Sequence, residues 1–328
     1  MASACSKVAS MSKPYDHVTW DLIDDNKLRA FNSHNVWRWL VAVAMEWLLI
    51  AAAIAVCLAW PLWWVWVLGV LLIGTRQHGL AVLSHEGAHH LVARSHFWND
   101  ILTNGLTTFW LLYPVQGYRS THLRHHWYLE TPDDPTRVSI DRYPDEWTFP
   151  MPPRRFISMF ARDLALLSQR AELTLMKCLW DVPGKRAPYA AGIIALHGIV
   201  IAVAAWSGHT WAYVCLWLVP LCTVTVACYR LRSVAEHSVG PRSERYSRSV
   251  VDNLRTTRTT TASGLSQFLL NPYNISYHIE HHLFPTVSAF RLRDLHAVLR
   301  ENPVYANNAH VTHGHRELFR ELTGRQIA

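Results

Sequence analysis

Residues 40–83 form the stretch LVAVAMEWLLIAAAIAVCLAWPLWWVWVLGVLLIGTRQHGLAVL. Within it, the apolar runs 40–60 and 62–83 are separated by Pro61 alone. Each run is about as long as the ~20 apolar residues that an α-helix needs to cross a bilayer. The stretch therefore predicts a hairpin of two membrane-spanning helices.

A second pair of apolar runs, 188–206 and 211–229, is separated by the short segment 207–210, which contains no Lys or Arg. Apart from Arg76, every basic residue lies outside the four runs. Lys and Arg are concentrated in the cytoplasmic segments of membrane proteins, so both termini and the segment between the pairs are predicted to be cytoplasmic. The expected fold is an all-α integral membrane protein, with four transmembrane helices in two hairpins and a cytoplasmic helical cap.

The chain is predicted to form a single domain, 1–328, built from five consecutive segments. These are a cytoplasmic arm (1–39), the first hairpin (40–83), a cytoplasmic or interfacial segment (84–187), the second hairpin (188–229) and the cytoplasmic cap (230–328). Within the third segment, 101–117 is interpreted as re-entrant or interfacial, and 156–180 as one amphipathic helix on the membrane surface.

The composition excludes several other classes of protein. Half of the residues are apolar and only 17% are charged, against about 25% in soluble domains, which excludes a disordered chain, collagen and a coiled coil. Six cysteines are too few for a disulfide scaffold of this length. The net charge is +7, but the basic residues flank the apolar runs, which favours membrane lipid rather than nucleic acid as a partner.

Ten of the 20 histidines lie in four short clusters. The clusters are HEGAHH (85–90), HLRHH (122–126), Glu236-His237 and HIEHH (278–282). Residues at positions i, i+3 and i+4 share one face of a helix, so each of the three longer clusters presents two or three imidazoles to one point. His90 lies about 100° around the helix from His89 and is the weakest candidate ligand.

The predicted membrane topology brings all four clusters to one cytoplasmic mouth. The predicted ligands outnumber the three or four that one zinc ion takes, so two metal ions are expected in the cap. Imidazole suits Fe, Zn, Cu and Ni, and the ligand type leaves the metal open. The predicted ligands are His85, His89, His122, His125, His126, His237, His278, His281 and His282, with His90 as a further candidate. Several isolated histidines, His209 and His296 among them, are expected at the surface.

The clusters HEGAHH, HLRHH and YHIEHHLFP resemble the three histidine boxes of the integral membrane fatty acid desaturase superfamily, over roughly residues 35–300. Glu236-His237 resembles the further histidine ligand of that family, and TPDDP (131–135) resembles the turn after its second box. The resemblance implies two iron ions (Fe²⁺) without haem, molecular oxygen and an external electron donor. It also implies a multi-pass protein of the bacterial inner membrane.

Three carboxylates adjoin predicted ligands, namely Glu86, Glu236 and Glu280. They are interpreted either as groups that orient the imidazole N–H bonds, or as partners in salt bridges to Arg124 or Arg232. A ferredoxin- or cytochrome b5-like donor is expected to be a separate protein. Its predicted dock is a group of arginines, which would equally attract anionic lipid heads. This group is Arg242, Arg245, Arg248, Arg255 and Arg258.

The resemblance implies an O2-dependent desaturase, whose expected substrate is a fatty acyl chain. One alternative is a small polar metabolite, because the superfamily includes an enzyme that desaturates the amino-acid enol ether dihydrorhizobitoxine. Another is hydroxylation or ketolation of a lipid or carotenoid. A histidine-rich metal transporter is a different class, but four spans in two tight hairpins would make a poor pore.

Overall fold

The computed structural model describes residues 22–32, 34–167, 170–237 and 254–324, which are mostly helical, as predicted. In chain order the helices are α1 (Asp25–Phe31), α2 (Val36–Ala59), α3 (Trp63–Ala88), α4 (His96–Thr103), α5 (Val115–Tyr128), α6 (Pro135–Asp141), α7 (Pro144–Trp147), α8 (Pro153–Leu164), α9 (Arg170–Leu179), α10 (Arg186–Trp206), α11 (Thr210–His237), α12 (Gly264–Leu270), α13 (His278–Leu283), α14 (Leu292–Leu299), α15 (Pro303–Asn308) and α16 (His315–Leu322). A π-helical turn, Asn104–Thr108, continues α4, and another, Val214–Leu218, lies within α11. Single 3₁₀ turns occur at Pro272–Asn274 and Ala289–Arg291.

The chain divides into two compact units. The first, here called the membrane unit, consists of residues 35–119 and 159–230. The second, here called the polar unit, consists of residues 1–34, 120–158 and 231–328.

Within the described part of the chain, four helices are long and apolar enough to cross a membrane, which matches the predicted number of spans. They are α2, α3, α10 and α11. Helix α3 continues to Ala88 and α11 to His237, past the apolar runs that predicted them. Both extensions contain polar residues that are buried against protein, such as Ser84 and Ser233, so hydropathy alone ended the predicted helices too early.

Close approaches between helices organise the membrane unit. The indole N–H of Trp39 on α2 donates a hydrogen bond to the carbonyl of Leu83 on α3, at 3.0 Å. A side chain at Gly79 on α3 would come within 2.4 Å of the Glu46 carboxylate on α2. That carboxylate is fully buried and forms an ion pair with Arg76, one turn earlier on α3, at 3.3 Å. Charges are costly within a membrane span, so they occur paired there.

Two segments differ from their predicted form. The predicted amphipathic helix 156–180 is two helices, α8 and α9, because Leu166 adopts a left-handed conformation (φ 61°) that an α-helix cannot contain. Segment 101–117 comprises the end of α4, its π-helical continuation, a turn with Leu112 at φ 69°, and the start of α5.

The polar unit contains a small sheet that the all-α prediction missed. Strand β1 (Arg258–Thr261) pairs in parallel with β2 (His310–His313), with Arg258 opposite His310. The β-branched residues Thr259, Val311 and Thr312 favour strands, but two runs of four residues are too short to stand out in the sequence. The apolar core beside the sheet includes Ile279, Leu283, Leu292, Leu295 and Leu299.

Candidate metal centre

The first histidine cluster ends helix α3 in the membrane unit. His85 lies in the last turn and His89 caps the helix, with their ring centroids 4.8 Å apart. The guanidinium of Arg119 donates hydrogen bonds to the carbonyls of Gly87 (2.8 Å) and Ala88 (3.0 Å). A cation at this position stabilises the helix C-terminus and fixes the backbone that carries the box. Burial, followed by Arg119, lowers the pKa of His89 to about 3, so this imidazole is neutral and can bind a metal.

His90 does not extend this cluster. Its backbone is left-handed (φ 60°), and its ring stacks on His96 with the centroids 3.9 Å apart. Among the described residues, the two groups of side chains whose geometry suits a metal ion do not include it. The further candidate ligand from the sequence is therefore engaged elsewhere.

Four histidines of the polar unit form one compact cluster, here called the four-histidine cluster: His125, His237, His278 and His282. One ligand nitrogen from each lies within 4.8 Å of those of the others. The Nε2 atoms of His237 and His278 are 2.9 Å apart, and the ring centroids of His125 and His282 are 5.1 Å apart. They come from α5, α11 and α13, which are distant along the chain.

Three other histidines of the polar unit form a second group. The Nε2 of His126 lies 3.0 Å from that of His122 and 2.9 Å from that of His281. Helix α5 therefore serves both groups, with His122 and His126 in one and His125 in the other. Positions i and i+3 point about 60° apart on a helix, which is enough for neighbours on one face to reach different sites.

The donor set fits a metal ion. His282 is buried, and neither of its ring nitrogens has a hydrogen-bond partner among the described residues. Buried polar atoms in proteins almost always have a partner, so these nitrogens indicate a missing ligand. Burial is the main cause that lowers the pKa of His278 and His282 well below the usual value, which keeps both rings neutral. Neutral imidazoles converging at such distances are typical of transition-metal sites.

An aspartate that sequence analysis did not select fixes the orientation of His125. The Asp134 carboxylate is fully buried and accepts a hydrogen bond from Nδ1 of His125, at 2.9 Å. Burial alone would lower the pKa of His125, but Asp134 raises it above the usual value. The hydrogen bond orients the ring independently of this shift: in a neutral imidazole whose Nδ1–H points at Asp134, Nε2 carries the lone pair that a metal ion would take. The sequence did contain a signal for this residue: an Asp directly before Pro135 is the pattern of a helix N-cap, and it lies close after a histidine box.

The three glutamates have different surroundings. Glu86 is buried in the last turn of α3. Glu236 pairs with Arg232 at 2.7 Å, as the salt-bridge interpretation expects, and its carboxylate lies 3.4 Å from Nδ1 of His278 without a hydrogen bond to it. In the described contacts, the carboxylate of Glu280 does not touch a predicted ligand. It accepts a hydrogen bond from His296 instead.

His296 itself is buried, which corrects its predicted place at the surface. The prediction failed because the partner of His296 is 16 residues away in the sequence.

The predicted arginine dock is only partly described. Arg242, Arg245 and Arg248 lie outside the described residues. Arg255 is exposed and donates a hydrogen bond to Asn308 at 3.0 Å. Arg258 is buried, which corrects its predicted place on the docking surface. On β1 it faces inward, where it pairs with Glu321 (3.0 Å) and donates to the carbonyl of Ala235 (2.9 Å).

Helices long and apolar enough to cross a membrane, together with two groups of converging histidines, are typical of a membrane metalloprotein. The family model of fatty acid desaturases matches residues 61–314, so the chain belongs to the fatty acid desaturase family. It is also similar to dihydrorhizobitoxine desaturase of Bradyrhizobium elkanii, with 26% identity over 310 residues, which cover 91% of this chain and 85% of that protein. The protein is therefore an oxidoreductase of the desaturase class, and the transporter alternative is rejected.

Proposed function

We propose that the protein is an O2-dependent desaturase that uses two histidine-held iron ions. The observation that carries the proposal is the four-histidine cluster, in which one ligand nitrogen from each of four imidazoles lies within 4.8 Å of the others. His122, His126 and His281 are the proposed core of the second site, and His85 and His89 are proposed as further ligands. Asp134 holds the tautomer of His125 that leaves Nε2 free for a metal.

Iron, when bound, supplies the oxygen chemistry needed to break an unactivated C–H bond, for which no side chain is a strong enough oxidant. In the proposed reaction two hydrogens leave adjacent carbons and a C=C bond forms. O2 is reduced to two waters with two further electrons and two protons, and the electrons come from a separate ferredoxin- or cytochrome b5-like protein. The residues of the chain hold the metals, exclude water and orient the substrate.

Two substrate classes are candidates. The family as a whole points to a fatty acyl chain. The relative that matches most of the chain acts, by its name, on dihydrorhizobitoxine, which favours a small polar amino compound. We place the enzyme in the bacterial inner membrane, surrounded by lipid, with two hairpins and with its termini and histidine clusters on the cytoplasmic side.

The test compares cells that express the wild type, His281→Ala and the control His209→Ala, together with a reductase and ferredoxin. His209 is exposed and belongs to neither histidine group. Mass spectrometry of lipid and polar extracts should find a product lacking two hydrogens in the wild type and the control only. Purified wild type should contain about two irons per chain, and His281→Ala fewer.

The extract in which the product appears decides between the two substrate classes. A product that has gained an oxygen would replace the desaturase proposal by a hydroxylase or ketolase. Full activity and iron content in His281→Ala would contradict the proposed metal centre.

A further inference from the structure

The helix that carries the third histidine box cannot hold its own orientation. Helix α13 has six residues, and Tyr277 at its N-cap makes no side-chain capping bond. So short a helix is unstable in isolation, and its rotation about its axis is set by what contacts it. His278, His281 and His282 occupy one face, so contacts on the opposite face determine where their imidazoles point.

Glu280 lies on that opposite face, about 150° around the axis from the centre of the histidine face. Its side chain is fully buried. The carboxylate accepts hydrogen bonds from the Thr259 hydroxyl (2.6 Å), from Nδ1 of His296 and from the Tyr305 hydroxyl. Burial, followed by Glu280, raises the pKa of Tyr305, so its hydroxyl stays protonated and remains a donor.

Thr259 contacts the same helix a second time. Its hydroxyl oxygen accepts a hydrogen bond from the backbone N–H of Ile279 at 3.2 Å, in the first turn, where helix N–H groups have no partner within the helix. Thr259 lies on β1, opposite Val311 of β2. One hydroxyl thus joins both the start and the back of α13 to the sheet.

We propose that Thr259, Glu280, His296 and Tyr305 form a positioning network that sets the metal affinity of the four-histidine cluster. The inference rests on the metal-binding function proposed above. In the described hydrogen bonds, these four side chains contact one another and the backbone of Ile279 but not the imidazoles of α13, so the network acts through the rotation of α13.

The geometry gives the size of the effect. Side chains on a helix reach about 5–6 Å from its axis, so a rotation of roughly 10° displaces an imidazole nitrogen by about 1 Å. Metal–ligand distances are held to within about 0.2 Å, so His278 and His282 cannot both follow such a rotation and keep a metal. Loss of supporting contacts around metal ligands typically weakens metal binding about 10- to 100-fold.

The experiment uses two pairs of variants of the full chain, purified in detergent and freed of metal. Thr259→Val removes the hydroxyl and keeps the shape, whereas Thr259→Ser restores the hydroxyl. Tyr305→Phe removes one donor to Glu280. Its control, Tyr213→Phe, removes the hydroxyl of a half-buried side chain, which lies 2.8 Å from Nδ1 of His197 in the membrane unit and outside the histidine groups.

Each protein is titrated with Co²⁺, and the visible absorption of the histidine-bound ion gives a dissociation constant and a spectrum. We expect Thr259→Val and Tyr305→Phe to bind one of the two ions about 10-fold more weakly or worse, with an altered spectrum. Thr259→Ser and Tyr213→Phe should match the wild type at both ions. In Thr259→Val and Tyr305→Phe the second ion should be weakened less than the first, because α13 supplies it with His281 alone among the polar-unit ligands.

Equal Co²⁺ affinity in the wild type, Thr259→Val and Tyr305→Phe would overturn the network while leaving the metal centre intact. Weak binding by Thr259→Ser as well as Thr259→Val would also contradict it, because the hydroxyl would then not be the cause. A wild type that binds no Co²⁺ would overturn the proposed metal centre and the network together. If Thr259→Val does not fold, the comparison of Co²⁺ affinity between Tyr305→Phe and its control Tyr213→Phe tests the network by itself.

Discussion

Replacement of Asp134 by Asn should separate support of a metal ligand from ordinary stability. Each carboxylate oxygen of Asp134 lies within 3.0 Å of Nδ1 of His125. Oδ1 also accepts from the backbone N–H of Thr136 (2.9 Å), and Oδ2 from that of Glu130 (3.1 Å). Asn has one oxygen and one NH2 group, so in either orientation its NH2 group faces one of these backbone N–H donors.

The expected magnitude has two parts. An N–H that loses its acceptor costs about 1–3 kcal/mol of unfolding free energy when buried, and about 1 kcal/mol is expected here because Glu130 and Thr136 are partly buried. The change also removes the carboxylate that orients His125, and loss of such a partner typically weakens metal binding about 10- to 100-fold. Asp134→Ala removes the cap of α6 as well, which costs a further ~1 kcal/mol and should make it the less stable variant.

The assay measures iron retained after timed exposure to a chelator, alongside denaturant unfolding of the metal-free protein. Asp24→Asn is the matched control, because Asp24 caps α1 from an exposed position and contacts no histidine in the described bonds. Asn caps helices as well as Asp does, so this control should keep both its iron and its stability. If Asp134→Asn retains iron as long as the wild type does, the assigned role of Asp134 is refuted.

Two further predictions concern the spans. Glu46→Leu leaves Arg76 buried without its carboxylate and should lower the unfolding free energy by about 3–5 kcal/mol. Adding Arg76→Met should recover most of that loss. Thermal unfolding in detergent measures both effects, and a double variant whose loss equals the sum of the two single losses would contradict the prediction. Gly79→Ala should lower the unfolding temperature in the same assay, because the new Cβ would collide with Glu46. Gly198→Ala is the control and should be tolerated, because a Cβ there would meet no atom within 4 Å. Equal unfolding temperatures for the two variants would refute the clash.

The number and order of the membrane spans could be predicted because apolar length is a local property of the chain. The ends of the spans could not. Helices α3 and α11 run on through polar residues such as Ser84 and Ser233, which other parts of the protein bury. The small sheet was missed for a related reason, since β1 and β2 are each four residues long and gain stability only from pairing across some 50 residues of chain.

The roles of individual polar residues also depended on distant contacts. His296 carries no motif in the sequence, yet it is buried against Glu280. Arg258 belongs to a run of arginines that indicates an exposed basic surface, yet the pairing of β1 turns it inward to Glu321. In both cases the deciding partner lies well outside the helical spacing on which the sequence argument relies.

The sequence alone determined the helical membrane class, the family resemblance and the histidines that gather in the polar unit, because helical spacing places i, i+3 and i+4 side chains on one face. Only the tertiary structure decided how those histidines divide. In the structure, His125 groups with His237, His278 and His282, whereas His122 and His126 on the same helix α5 group with His281. His122, His125 and His126 lie within about 100° of one another on α5 and are equivalent in the sequence pattern, and the elements packed around the helix determine which partners each one meets.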